Sequence, residues 1–358
     1  MKYPSVLPFD EVLPRLEHFD AIIDVRSPAE FAEDHLPGAI NCPVLDNDER
    51  AQVGLMYKTV GAFEAKKLGA ALVAKNIAHH IQSRFLDTPQ SWKPLVYCWR
   101  GGNRSGAMAL ILARIGWPVA QLHGGYKAYR NHVNTEMAAL PRAFVFNVLC
   151  GPTGSGKSRL LRVLHGQGAQ VLDLEQLAAH RGSVLGDLPA AAQPSQKRFE
   201  SLLWEALRGF DPKRPVFIEA ESKKVGKLRV PDALMDSMRA SPCIRVELPI
   251  GQRVDLLMRE YAHFVAQPAL LNAQLDFLIP LHGRKIIAHW QQLALSGNMP
   301  ELVAALLHRH YDPVYLQSIR RNFSRLDQAR TLTLPDISND AFQHAARQLS
   351  AAANSLAA

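Results

Sequence analysis

The stretch "YCWRGGNRSG" (97–106) places Cys98 before Arg100, the Gly101-Gly102 pair and Arg104, in the spacing Cys-x5-Arg. An apolar strand runs into Cys98 and a helical pattern begins at Ser105, so residues 98–104 form a strand-to-helix loop, where open α/β sheets bind ligands. Accessible glycine N–H groups, the positive end of the following helix and two guanidinium groups all converge on an anion. The same features favour a thiolate, so Cys98 is read as a nucleophile, with Arg100 and Arg104 holding the anionic part of its substrate. A cysteine that only filled core space would gain nothing from two glycines and two arginines beside it.

A second stretch, "GPTGSGKS" (151–158), fits G-x4-G-K-S in full, follows an apolar strand and precedes a helix. Gly151, Gly154, Ser155 and Gly156 form a loop whose N–H groups cradle phosphate oxygens; Lys157 reaches a terminal phosphate, and Ser158 could hold Mg²⁺. Asp173, Glu219 and Glu221, at neighbouring strand ends, are candidate acidic partners for a metal or a water. None is the usual Asp on a hydrophobic strand, so nucleotide hydrolysis is left open, as is whether ATP or GTP binds. Such a loop can hold any pyrophosphate. Lys223, Lys224, Lys227 and Arg229 beyond the third strand, and Arg320 and Arg321 in "YLQSIRRNFSRL", are candidate contacts to a nucleic-acid backbone, against the alternative of plain solvated faces.

Two α/β series position these loops. In the first, residues 20–26, 38–44, 93–99 and 118–125 read as strands, residues 63–85 and 105–117 as helices, and residues 126–142 as a closing helix followed by a Pro-marked linker. In the second, residues 143–150, 169–177, 214–222 and 242–250 read as strands of a doubly wound sheet, and beyond about 250 the chain reads as mostly helical. The expected domains are 1–135 and 141–358.

Charge is distributed unevenly between them: residues 1–140 hold 15 Lys/Arg against 14 Asp/Glu, and residues 141–358 hold 26 against 19. The basic excess of the second part suggests a polyanionic partner, since Lys and Arg bound to phosphates release condensed counterions. The N-terminal residues carry acids and prolines where a signal peptide needs an apolar run, and no run approaches a membrane span. A cytoplasmic protein with no membrane partner is expected. Cys42, Cys150 and Cys243 lie in or near apolar strands and are read as core residues.

The segment "DVRSPAEFAEDHLPGAINCPV" (24–44) resembles the opening of rhodanese sulfurtransferase domains, so the first domain is read as rhodanese-like, with Cys98 matching the family's chalcogen-carrying residue. The Cys98–Arg104 loop is one residue longer than a common sulfurtransferase loop, which would make it roomier. Joined to a P-loop NTPase-like domain with a helical C-terminal region, the chain resembles the tRNA 2-selenouridine synthase family in "VGLMYKTVGAFEAKKLGAALVAKNIAHHI" (53–81), "LHGGYKAYR" (122–130), "DLEQLAAHRGSVLG" (173–186), "FIEAESKKVGKLRVP" (217–231) and "HYDPVY" (310–315).

The resemblance implies a transferase that replaces sulfur by selenium in 2-thiouridine at the tRNA wobble position, with selenophosphate as donor. It also implies an S-geranylated intermediate made from geranyl diphosphate, the anticodon arm of tRNA as partner, and a selenophosphate-producing enzyme as supplier. Rival readings are a cysteine-dependent phosphatase, for which no general-acid Asp can be placed, a P-loop small-molecule kinase, which leaves Cys98 unexplained, and a non-catalytic RNA-binding module.

Overall fold

The computed structural model describes residues 3–100, 102–183, 185–187 and 192–357, and the chain divides into two compact units, Met1–Glu136 and Met137–Ala358. In the first unit, strands β1 (Ser5–Leu7), β2 (Ala21–Asp24), β3 (Ala39–Asn41), β4 (Pro94–Tyr97) and β5 (Ala120–Leu122) form a parallel sheet in the order β1-β5-β4-β2-β3. β4 is central and fully buried, which is why its sequence, Pro-Leu-Val-Tyr, shows no apolar-polar alternation. Cys98 is the first residue beyond it. The helix Asn103–Ile115 follows and buries Met108, Ala109, Leu112 and Ala113 against the sheet, one apolar stripe at helical spacing.

Two features of this unit depart from the sequence reading. β1 adds a fifth, edge strand. The helix expected over 63–85 is Ala62–His80 with a π-helical turn to Phe85, and it packs antiparallel on a further helix, Asn47–Thr59. The closing helix runs Gly125–Met137, ahead of a single 3₁₀ turn at Leu140–Ala143.

In the second unit, β6 (Phe146–Cys150), β7 (Gln170–Leu172), β8 (Val216–Glu219), β11 (Cys243–Glu247) and β12 (Arg330–Thr333) form another all-parallel sheet, ordered β12-β11-β6-β8-β7; the short hairpin of β9 (Lys224–Val225) and β10 (Leu228–Arg229) stands apart from it. β6 is central, and the phosphate loop leaves its carboxyl end. The region beyond 250, expected to be helical, also supplies β12. Its helices between Ile250 and Leu306 enclose a separate apolar cluster around Trp290, Leu275 and Leu302. The last helix, Asn339–Ala357, packs Phe342, Ala345 and Leu349 on Leu160, Leu161 and Leu164 of the helix after the phosphate loop. No helix among the described residues is long and apolar enough to cross a membrane.

Candidate functional site

The Cys98 loop is held by the elements on either side of it. The carbonyl oxygens of Cys98 and Trp99 accept hydrogen bonds from the N–H groups of Tyr126 (2.8 Å) and Lys127 (2.9 Å), which tie the loop to the first turn of Gly125–Met137. Cys98 Sγ is buried and accepts a hydrogen bond from Ser105 Oγ at 3.2 Å; Ser105 in turn accepts one from Gln121 Nε2 at 3.0 Å. A hydroxyl aimed at sulfur can stabilise negative charge there or follow a proton leaving it.

The two arginines separate. Arg100 is exposed and free to meet an anion, whereas Arg104 donates to both carboxylate oxygens of Glu30, at 2.8 and 3.3 Å. Burial works to raise the Glu30 carboxyl, but Arg104 and Arg50 outweigh it and hold that carboxyl below its ordinary range. Arg104 therefore braces the loop through Glu30 as well as lending it charge. Gly101, and with it the expected extra room in the loop, lies outside the described residues. Buried Arg26 pairs with Asp24 (2.6 Å) and lies 4.0 Å from the ring centre of Tyr126, whose N–H also holds the Cys98 carbonyl.

The second loop is shaped around its glycines. Gly154 and Gly156 have φ of +78° and +88°; a Cβ there would meet Leu257 at 2.9 Å and Phe342 at 2.7 Å, so glycine is required at both. A Cβ at Gly151 would strike Ser155 Oγ and the Val246 carbonyl. Lys157 Nζ lies at the loop, 2.6 Å from the Gly151 carbonyl and 6.0 Å from the ring centre of Tyr315. The loop opens into a cavity of ≈900 Å³ whose wall includes Lys157, Ser158, Glu175, Glu221, Tyr261 and Tyr315. A smaller, almost wholly apolar cavity adjoins it: Thr153, Leu257, Tyr261 and Tyr311 line both, and Phe264, Leu302, Val303 and Leu306 line the apolar one alone.

The acidic partners fall into distinct positions. Ser158 Oγ donates to Glu175 Oε2 at 2.7 Å, so Glu175, which the sequence reading passed over, is the carboxylate next to the Mg²⁺ candidate. Asp173 lines the cavity while accepting from the Gln176 N–H as a helix cap. Glu219 is buried behind them; its Oε1 accepts from the Glu175 N–H, and its Oε2 has no hydrogen-bond partner. Burial, reinforced by mutual repulsion, raises Glu175 and Glu219 above the ordinary carboxylate range and pushes Glu221 up to about 8. Lys223, Lys224, Lys227 and Arg229 are exposed on and beside the β9–β10 hairpin, with Arg229 paired to Asp232 at 2.9 Å, and Arg321 is exposed on Asp312–Asn322. The Arg320 side chain lies outside the described residues. Cys42, Cys150 and Cys243 are buried, as a core role requires.

With that geometry in hand, comparison with known proteins is specific. Residues 9–132 match the Rhodanese-like domain, and residues 144–275 match the tRNA 2-selenouridine synthase AAA domain. A tRNA 2-selenouridine synthase from Bdellovibrio bacteriovorus is 32% identical over 84% of this chain and 89% of that protein; one from Sulfurovum sp. is 33% identical over 88% and 95%. The chain belongs to the tRNA 2-selenouridine synthase family. A further member, from Nitrosomonas europaea, is 37% identical over 67% of this chain and 63% of its own length. Membership accounts for a rhodanese-like fold and a P-loop fold in one chain.

Within this family frame, the residues missed by sequence reasoning are those that support the loops. Ser105 and Gln121 reach Cys98 from two different elements, and neither stands in a motif. Glu175 had a signal: it lies two residues after Asp173, inside the "DLEQL" stretch quoted for the resemblance.

Proposed function

We propose that the chain replaces sulfur by selenium in wobble 2-thiouridine of tRNA in two steps, with the phosphate loop serving geranyl transfer and the Cys98 loop serving selenium transfer. The observation that carries this reading is the pair of adjoining cavities. A diphosphate with a ten-carbon apolar chain needs an anion cradle beside apolar surface; Gly151–Ser158 supports the first, and the adjoining apolar cavity of ≈60 Å³ bordered by Thr153 and Leu257 supports the start of the second, which the chain would have to widen.

In the first step the thiocarbonyl sulfur attacks C1 of geranyl diphosphate, the C1–O bond breaks, and its electron pair leaves with the diphosphate. Lys157 and the N–H groups of the loop neutralise the charge that develops on the leaving oxygens, an electrostatic role of the kind that dominates phosphate chemistry. Mg²⁺ fits beside Ser158 and Glu175, near the unpartnered Oε2 of Glu219, and would supply further neutralisation. Among the described residues no group of three or more His, Cys, Asp or Glu could hold a metal by itself, so phosphate oxygens would complete its shell. S-alkylation turns sulfur into a better leaving group. In the second step the selenium of selenophosphate attacks C2, the C2–S bond breaks and its electron pair leaves with the geranyl thiol; water then attacks phosphorus, the P–Se bond breaks, and phosphate departs to leave selenium on C2. Cys98 assists at C2, Arg100 meets the phosphate of selenophosphate, and Ser105 donates its hydrogen bond to Cys98 Sγ. The exposed lysines of the hairpin and the basic surface of the second unit meet the anticodon arm.

The test is to mix 2-thiouridine-containing tRNA and geranyl diphosphate with the enzyme, withhold selenophosphate, and digest to nucleosides for mass spectrometry. Accumulation of S-geranyl-2-thiouridine is expected. If the tRNA stays unmodified while ATP is turned over, the small-molecule kinase reading replaces this one.

A further inference from the structure

The phosphate loop is gripped from outside by one arginine that no loop motif includes. Arg253, on the helix Ile250–Glu260, is buried to 6% exposure. Its Nε and Nη2 donate to the carbonyl oxygen of Thr153 at 2.9 and 2.7 Å, and its Nη1 and Nη2 donate to the two carboxylate oxygens of Asp312 at 3.0 and 2.6 Å. One planar fork thus joins the loop to the first turn of Asp312–Asn322, the helix that carries Tyr315.

We infer that Arg253, held by Asp312, is a positioning residue that aims the Gly154 N–H into the phosphate cradle. The peptide between Thr153 and Gly154 is planar and trans, so its C=O and N–H point in opposite directions. Fixing the Thr153 carbonyl outward on the guanidinium turns the Gly154 N–H inward. Gly154 has a positive φ and faces Leu257, one helical turn beyond Arg253, with the Arg253 carbonyl 3.3 Å from where a Cβ would stand; the same helix therefore sets both sides of this peptide. Because Asp312 neutralises the guanidinium, Arg253 adds little net charge to the cradle. Its contribution is orientation, which a planar fork provides and a lysine ammonium does not.

The inference rests on the phosphate loop binding a diphosphate, as proposed above, and does not depend on the geranyl chain. Calorimetric titration of geranyl diphosphate, and separately of inorganic pyrophosphate, into wild type, Arg253→Lys and Asp312→Asn tests it, with near-ultraviolet circular dichroism confirming the fold. Both variants should bind each ligand about tenfold more weakly, as expected from losing one well-aimed charge-assisted hydrogen bond. Asp312→Asn separates orientation from charge: it leaves the guanidinium without its counter-charge, so a purely electrostatic or structural role predicts unchanged or tighter binding, while a positioning role predicts weaker binding.

Unchanged affinity in folded Asp312→Asn overturns the inference, and this variant decides the matter alone if Arg253→Lys fails to fold. Wild type that binds pyrophosphate but gains nothing from the geranyl chain sinks the prenyl-donor reading, while the pyrophosphate titrations still judge Arg253. Wild type that binds neither ligand sinks both.

Discussion

The two loops share one design and differ in what they leave open. Each leaves the carboxyl end of a central strand in a five-stranded parallel sheet and runs into a helix, so each gathers N–H groups at a helix N-terminus. Around Cys98 the neighbouring groups are committed to one another: Ser105 to the sulfur, Gln121 to Ser105, and Arg104 to Glu30. Around Lys157 a cavity of ≈900 Å³ remains, with an apolar annex. A loop that presents one reactive atom needs its surroundings fixed, whereas a loop that holds a large ligand through backbone groups needs space. On the proposed reading, the same strand-loop-helix unit would serve as a nucleophile site in one unit and a leaving-group site in the other.

Lys157→Ala gives the sharpest break in this comparison, because it removes the cationic side chain of the phosphate loop. Affinity for geranyl diphosphate should fall about 100-fold by calorimetry, the scale of losing charge-assisted hydrogen bonds to phosphate, while alkylation of Cys98 by a thiol reagent is unchanged. If the apolar chain enters the annex as proposed, filling it with Val303→Phe should weaken geranyl diphosphate about tenfold and leave inorganic pyrophosphate untouched. Equal losses for both ligands would show that the annex does not hold the chain.

On the Cys98 side, Ser105→Ala should slow selenium transfer by about three- to tenfold in single-turnover assays, the value of one hydrogen bond to sulfur, with geranylation unaffected. The smallest effect concerns pH. Glu221 in the folded chain titrates at about 8, above its ordinary 4.5, so between those values the folded chain keeps a proton that the unfolded chain has released. Stability must therefore fall as pH rises through that window. Glu221→Gln should flatten part of the decline in melting temperature between pH 5 and pH 8, leaving the shares due to Glu175, Glu219 and Asp173, whose carboxyls burial also raises.

How much of this was legible in the sequence follows from burial and range. β2, β4, β5, β6, β8 and β11 announce themselves as short apolar runs because they are largely buried, and the partly buried edge strands β3 and β7 were read as well. β1 and β12 escape notice because they are edge strands with mostly exposed residues; "RTLT" buries only Leu332. The helix Asn47–Thr59 buries no residue fully, so it shows little of the apolar stripe by which helices are found. Cys98, Lys157 and Ser158 were legible because their neighbours in sequence are their neighbours in chemistry. Arg104 read as an anion ligand, yet its partner Glu30 is 74 positions away, and Arg253 meets Asp312 across 59 positions. Pairings of that range leave no local pattern.

The most direct test of the division between the loops is one digest. Tubes containing 2-thiouridine tRNA, geranyl diphosphate and selenophosphate receive wild type, Cys98→Ser or Lys157→Ala, and the nucleosides are analysed by mass spectrometry. The expected result is 2-selenouridine from wild type, a stall at S-geranyl-2-thiouridine with Cys98→Ser, and unmodified 2-thiouridine with Lys157→Ala. Selenouridine formed at the wild-type rate by Cys98→Ser, or geranylated nucleoside formed at that rate by Lys157→Ala, would contradict it.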